Sequence, residues 1–283
     1  MILELAPGRL AAIINSYAID GRVSWHPPAA RGVGFMHVYV LRDGNSVVIV
    51  DTGLGAHREQ VLAGLAELTG PGDDLTVIAL RTQEFDAMCN LLPILERFAV
   101  REVCGQHPDP LGWGDFHVDL RLAGRDALVR GDATTPLTGL STRVLHEHEE
   151  VVLGARTLEV FRPAIRLLQT HWIYDAATRT LLTSDMFTHA RARGGQDAAV
   201  ITDDNDGATV ESVQEHLLGG RYWWLAQSHA DELRTWLAGV FAERDVETVA
   251  PAYGGILRGR DVVARHVGLL DEAIARCAAM IPA

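Results

Sequence analysis

The sequence predicts an α/β (α+β) fold in which two mixed β-sheets pack together with helices outside, a four-layer αββα sandwich. Three observations predict it. Apolar runs of strand length recur in pairs, joined by tight turns, and each set of strands is followed by helical stripes. That order occurs twice along the chain. At 283 residues, 48% hydrophobic and 22% charged, the chain is long enough to bury a substantial core, and it reads as a single domain over 1–283.

Each element follows from local pattern. HVYVLR (His37–Arg42) and SVVIVDTG (Ser46–Gly53) are apolar runs separated by Asp43-Gly44-Asn45, a β-hairpin turn composition. From His57 to Leu68 the apolar residues Val61, Leu62, Leu65 and Leu68 recur at helical spacing. Leu75–Leu80 is a buried strand, and Met88–Phe98 is expected to be a helix. In the second half, EEVVLG (Glu149–Gly154) turns into TLEVF (Thr157–Phe161) as another hairpin. Leu167–Asp175 and Thr180–Phe187 form a third pair, turned at Ala176–Arg179. Helices are expected over Val210–Leu218 and Ala230–Glu243, then a strand at Val246–Tyr253 and a last helix from Val262 to Ala279.

Composition narrows the function classes. A net charge of −12 and a pI near 5.4 argue against nucleic acid as a partner. Apart from histidine, every basic side chain is Arg; there is no Lys. Three dispersed cysteines, Cys89, Cys104 and Cys277, suit free thiols in a reducing compartment. The N-terminal run contains Glu4 and lacks the layout of a secretion signal, and no stretch reaches membrane-spanning length. A cytoplasmic protein without membrane contact is therefore expected. There is no Gly-x-Ser-x-Gly elbow and no phosphate-binding GxxxxGK loop.

Five landmarks carry more. The strand SVVIVDTG ends in Asp51-Thr52-Gly53. After LTVIAL comes Thr82-Gln83-Glu84-Phe85-Asp86-Ala87. LGARTLEVFRPAIR ends at Arg166, TLLTSDMF carries Asp185, and Ala250-Pro251-Ala252-Tyr253-Gly254 lies near the C-terminus. In this order they resemble the metallo-β-lactamase superfamily, and within it the oxygen-binding di-iron domain of flavodiiron proteins. The resemblance extends from about Ile19 to Ile274. It implies the metallo-β-lactamase type of αββα sandwich. In that family a flavodoxin domain usually follows; none is expected after the last helix here, so an FMN partner, if used, is expected from another chain.

Carried over position by position, the resemblance keeps Glu84, Asp86 and Asp185 as metal-binding carboxylates. Thr82, Ala87, Arg166 and Tyr253 stand where it places histidines, so an ordinary di-iron centre is not expected, since iron of this kind needs imidazole nitrogen. Converging carboxylates cannot stay buried and uncompensated. Arg166 offers one answer, a guanidinium able to fork onto Asp185 or Glu84. His26, eleven residues before His37 in the manner of a near-site histidine of that family, offers another. With Glu84 and Asp185, His26 and His37 could form a mononuclear site for one iron or zinc ion; a metal-free site is the alternative. Tyr253 could donate a proton or hydrogen-bond a substrate oxygen, and His26, Arg166 and Tyr253 are the candidate catalytic groups.

Other features have plainer readings. His171 reaches inward or outward according to a one-residue register. His146 and His148 read as solvated surface, and Asp203–Asp206 as a solvated acidic loop. Cys89 is expected to open a helix, as a small core residue. Trp25, Phe35, Trp172, Phe187, Tyr222, Trp223 and Trp224 could line a pocket for a flat molecule. Three functions remain: a repurposed, oxidoreductase-type enzyme acting on a small organic substrate with one metal or none; a catalytically silent subunit; or a small-molecule sensor. A homodimer, or a heterodimer with a related chain, is the expected assembly.

Overall fold

A computed structural model of the chain describes residues 1–191, 199–204 and 206–280. It divides into two compact units, each assembled from separate stretches of chain. The first comprises Met1–Asn15, Met36–Arg162 and Leu168–Ile173, and the second Ser16–Phe35, Pro163–Leu167 and Tyr174–Ala283.

The first unit is built on a mixed sheet. Strands β1 (Ile2–Ala6) and β2 (Leu10–Ile19) form an antiparallel pair. Strand β3 (Gly32–Asp43) runs antiparallel to β4 (Ser46–Val50), with Asp43 opposite Ser46 across the Gly44-Asn45 turn, as the hairpin signal predicts. From β4 onward the neighbours are parallel: β5 (Asp74–Ile78), then β6 (Val100–Gly105). A small antiparallel sheet of β7 (Leu120–Ala123), β8 (Ala127–Arg130) and β9 (Ala133–Pro136) follows, and β10 (Ser141–Val144) returns parallel to β6. The hairpin of β11 (His148–Leu153) and β12 (Arg156–Phe161) completes the unit.

Helices α1 (Arg58–Leu68), α2 (Phe85–Met88) and α3 (Leu91–Arg97) belong to the same unit. Strands β4 and β5 are buried over four consecutive residues each, the mark of parallel strands covered on both faces. Val38, Ile49 and Val77 from the strands join Val61, Leu65, Leu91 and Ile94 from the helices in one apolar cluster. The expected helix from Met88 to Phe98 is observed as α3, which begins at Leu91 because Met88 still belongs to the short α2. Asn90 stands between the two, its side-chain amide donating to the carbonyls of Thr52, Gly53 and Leu54 at 2.8, 3.2 and 3.0 Å. Cys89 accordingly closes α2 rather than opening a helix. Burial, with the Asp86 charge adding, pushes its thiol up, whereas a helix N-terminus would lower it.

Strand β13 (Trp172–Asp175) leads into the second unit through a turn held by Asp175, which accepts from Ala177 N and the Thr178 hydroxyl. There β14 (Thr180–Ser184) runs parallel to β16 (Thr248–Pro251), β16 antiparallel to β17 (Ile256–Arg258), and β17 parallel to β15 (Val200–Ile201). Three helices accompany them: α4 (Val210–Gly219), α5 (Asp231–Glu243) and α6 (Arg260–Ala278). A capping box opens α4, Thr209 and Ser212 each accepting the other's backbone N–H. The buried stripe of α6 is Val262, Val263, His266, Leu270, Ala273, Ile274 and Cys277, a helical repeat with a histidine at one core position. Among the described residues no helix is long and apolar enough to cross a membrane.

Candidate functional site

In the first unit, the Asp-Thr-Gly landmark is a structural clasp. Asp51 adopts a left-handed backbone (φ 58°), and its carboxylate accepts from Leu80 N at 2.8 Å. That bond ties the end of β4 to the segment that carries Thr82, Glu84 and Asp86. Thr82 is held through both its backbone N–H and its hydroxyl, which donate to the Gln106 carbonyl oxygen at 2.9 and 2.7 Å. The amide nitrogen of Gln106 reaches the carbonyls of Ala79 and Leu80 at 3.0 and 2.7 Å and lies 2.9 Å from His171 Nδ1. His171 thus points inward, buried, and burial pushes its pKa down to about 4. His146 and His148 are exposed, as expected.

The guanidinium against Asp86 is that of Arg81, which is 1% exposed. Neither its position nor its role is marked by the landmarks. Glu84 is buried at the start of α2, and His37 is buried within β3 beside Tyr39. In the second unit, Arg166 is half-buried and donates to the Pro163 carbonyl at 2.5 Å.

The carboxylate set does not fit a di-iron centre. Asp86 is taken up by a buried cation, Thr82 is locked to Gln106, and Ala87 offers no donor atom. Among the described residues no three side chains of His, Cys, Asp or Glu are grouped so as to hold a metal ion.

The second unit holds a different constellation. Asp185 follows β14 in a turn flanked by two left-handed non-glycine residues, Ser184 (φ 55°) and Phe187 (φ 65°). Such backbone costs about 1–2 kcal/mol per residue, so the surrounding structure must impose it. This turn delivers Thr188 and His189. Beside it runs Tyr253-Gly254-Gly255, with Gly255 N bonded to Ala190 O at 2.8 Å. Gly254 is obligatory there: its φ is 92°, and a Cβ would stand 2.8 Å from the Thr188 carbonyl.

Around this turn four buried imidazoles form a line. Tyr17 hydroxyl lies 2.7 Å from His26 Nε2, and Trp25 donates its indole N–H to Tyr17 at 3.0 Å. The His26 ring sits 6.2 Å from Tyr253 and 6.0 Å from His216. His216 Nε2 is 3.0 Å from the Thr188 hydroxyl. His216 and His189 are 6.4 Å apart, and His189 stacks on His266 at 5.3 Å. His189 Nε2 and His266 Nδ1 are 3.1 Å apart, and His266 Nε2 lies 3.1 Å from Asp206 Oδ2. Burial dominates their titration. It pushes His26 down to about 4 and His216 to about 3, with Arg191's charge adding to both, and it holds His189 well below the usual range.

A cavity of about 500 Å³ opens on this line, walled by His189, His216, Arg31, Arg191 and Glu215. None of the aromatic residues expected to line a pocket belongs to its wall. Trp25 packs on Tyr253 at 5.3 Å, Phe35, Trp172, Phe187 and Tyr222 are core, and Trp223 is exposed. The acidic run also divides: Asp203 and Asp204 are exposed, but Asp206 is buried against Arg265 and His266, while Asn205 lies outside the described residues.

With this geometry in place, comparison with known proteins settles the architecture. The flavodiiron protein from Giardia intestinalis matches with a TM-score of 0.66 at 14% identity, over 97% of this chain and 59% of that one. The fold is that of the flavodiiron di-iron domain. Rubredoxin oxygen:oxidoreductase from Desulfovibrio gigas matches at 0.61 and 15% identity, over 98% and 61% of the two chains. A fragment from Nostoc sp. PCC 7120, assigned as a diflavin flavoprotein, matches at 0.66 and 15% identity over 98% of this chain and 96% of its own. The chain thus has the mixed α/β, four-layer αββα architecture of the metallo-β-lactamase type, and it spans about three-fifths of the first two proteins. No family model matches the sequence, nor does any curated protein.

His26 and Tyr253, two of the expected catalytic residues, are brought together. His189, His216, His266, Asp206 and Arg81 were not anticipated. A signal for two of them exists. His216 stands with Val213 and Leu217, and His266 with Val262 and Leu270, on the buried faces of their helices. A histidine at a core position of an amphipathic helix must find a polar partner.

Proposed function

We propose that this chain is a diverged flavodiiron-fold enzyme that acts on a small organic molecule by imidazole acid–base chemistry. The observation that carries this reading is the cavity of the second unit, onto which two buried imidazoles, His189 and His216, open directly. Both are held neutral by burial, the state in which an imidazole can accept a proton. Behind His216 the His26 ring stands 6.0 Å away, and Tyr253 lies 6.2 Å beyond it. Cavities of this size that carry a few convergent polar groups are where small molecules bind.

The reduction of oxygen by paired iron is not part of this reading, because the donor set of the Thr82–Ala87 segment does not suit it. An oxidoreductase reaction belongs to it only with an electron carrier brought by a co-substrate or partner chain.

The test is a thermal-shift screen of small organic molecules on the full chain beside Ala208→Trp, which fills the cavity wall. A ligand bound only by the folded state raises Tm in proportion to its occupancy. Compounds that raise Tm in the unaltered chain and not in Ala208→Trp support the reading. Stabilisation or turnover that survives Ala208→Trp places the site elsewhere and overturns it.

A further inference from the structure

The wall of the second unit's cavity holds the side chains of Arg31, Arg191, Asp206 and Glu215, besides two imidazoles that burial holds neutral. Asp206 is buried and accepts from Arg265 at 2.6 Å, so that pair sums to zero. Two guanidiniums and one carboxylate are left. The cavity wall is therefore locally positive, in a chain whose net charge is −12.

Among the described residues none of these three groups pairs with an opposite charge. Arg31 gives Nη1 to the carbonyls of Pro28 and Ala30, at 2.8 and 2.7 Å, which holds the side chain without neutralising it. Arg191 stands close enough for its charge to act on both His26 and His216. Glu215 shares one face of α4 with Ser212 and His216, three residues after the first and one before the second. Ser212 is spent in the capping box, its hydroxyl donating to Thr209 O at 2.9 Å and accepting from Thr209 N at the same distance. His216 Nε2 is 3.0 Å from the Thr188 hydroxyl. Glu215 is the residue of that stripe still open to a partner.

Exposure divides the wall by depth. Arg31, Arg191 and Glu215 are exposed, whereas Ile19, Pro27, Ala30 and both imidazoles are buried. The charges stand at the opening, and the apolar and imidazole surface lies beneath them.

We infer that the molecule this cavity takes is a small zwitterion with an apolar body. Its anionic group meets Arg31 and Arg191, its cationic group meets Glu215, and its apolar part rests on Ile19, Pro27 and Ala30. This ligand class rests on the reading of the cavity as an enzyme site. An amino acid with an apolar side chain has the required layout. A simple anion would satisfy the guanidiniums but be repelled by Glu215, and a simple cation would meet the reverse. A molecule carrying both charges turns each repulsion into an attraction, so Glu215 rejects the wrong ligand as well as holding the right one. With its charged ends held at the opening, the rest of the molecule faces His189 and His216.

Calorimetric titration of the full chain with molecules of matched shape tests the charge layout. The probes are free phenylalanine, hydrocinnamate, which lacks its ammonium group, and phenethylamine, which lacks its carboxylate. A second set widens the charge separation: para-aminomethylbenzoate, para-toluate and para-methylbenzylamine. In at least one set the zwitterion should bind about fivefold more tightly than either relative, the scale of one ion pair at an exposed rim. Glu215→Gln should weaken that zwitterion about fivefold and leave its anionic relative unchanged or tighter, while Arg191→Gln should weaken both. Both replaced residues are exposed, so the variants are expected to fold. An anion that binds as tightly as its zwitterion, a Glu215→Gln chain that binds the zwitterion normally, or zwitterion binding that survives Ala208→Trp overturns the inference. If both zwitterions fail while other compounds stabilise the chain and not Ala208→Trp, the ligand class is wrong and the enzyme-site reading stands. If no compound does so, that reading falls, and the ligand class with it.

Discussion

The guanidinium of Arg81 is buried against the carboxylate of Asp86, five residues further along the chain, with 1% and 4% of their side chains exposed. A buried ion pair gains little over an apolar pair, but removing one partner orphans the other. Arg81→Ala should therefore destabilise the protein by about 3–5 kcal/mol, measured by urea denaturation. Arg81→Met/Asp86→Asn should recover a large part of that loss. Arg166→Ala, at a half-buried residue, should cost less than Arg81→Ala. The reverse order would mean that Arg166, not Arg81, carries the buried charge balance.

Gln106 ties Thr82 to the carbonyls at the end of β5, with four bonds of 2.7–3.0 Å. Gln106→Ala leaves the Thr82 hydroxyl and two carbonyls to find water, at a cost of roughly 2 kcal/mol. Gln106→Glu should fare no better, since a carboxylate cannot donate to Ala79 and Leu80. A free-energy change below about 0.5 kcal/mol for either variant would show that this clamp is dispensable.

Protein expressed with added iron and purified without chelator should carry well below one metal ion per chain by elemental mass spectrometry. The reason is the donor set, with Asp86 engaged by Arg81 and Ala87 lacking a donor. About one iron or zinc per chain, lost on Glu84→Ala/Asp185→Ala, would instead establish a rebuilt mononuclear site.

The buried histidines make the fold acid-sensitive. His26 and His171 are pushed from 6.5 down to about 4, and His216 to about 3. Because each folded-state value lies below the unfolded one, the unfolded chain binds more protons between them. Their contribution is thus complete above about pH 6.5 and is lost as pH falls toward 4 and then 3. The slope approaches roughly 1.4 kcal/mol per pH unit for each histidine. Urea midpoints should be flat from pH 8 to about 7 and fall steeply below 6, and His171→Leu should flatten that slope by roughly one proton. A midpoint that holds steady down to pH 5 contradicts the burial of these rings in neutral form.

Gly34 sits beneath Tyr17, where an added Cβ would lie 2.5 Å from the phenol ring. Gly34→Ala must displace Tyr17, and with it the 2.7 Å contact to His26. Overpacking of this kind costs about 1–3 kcal/mol. Released from Tyr17, His26 should titrate differently in an NMR pH series, whereas an unchanged His26 would show that the phenol does not constrain it.

Legible in the sequence alone were the hairpin turn at Gly44-Asn45, the buried runs of β4 and β5, and the terminal helix α6. These are local: apolar period and turn chemistry are written within a few consecutive residues. The segment from Val100 to Val144 stayed unread because its strands are four to six residues long and several are exposed, so they lack a strong apolar period. Asn90 holds the start of α3 through a bond to a loop 37 residues away that no window on the sequence contains. The tertiary structure alone decided that Arg81 meets Asp86. It alone placed His189 on His266, residues 77 apart in sequence. A buried imidazole can be satisfied by any donor or acceptor the fold delivers, so its partner is fixed by how distant segments pack and not by what stands beside it in the chain.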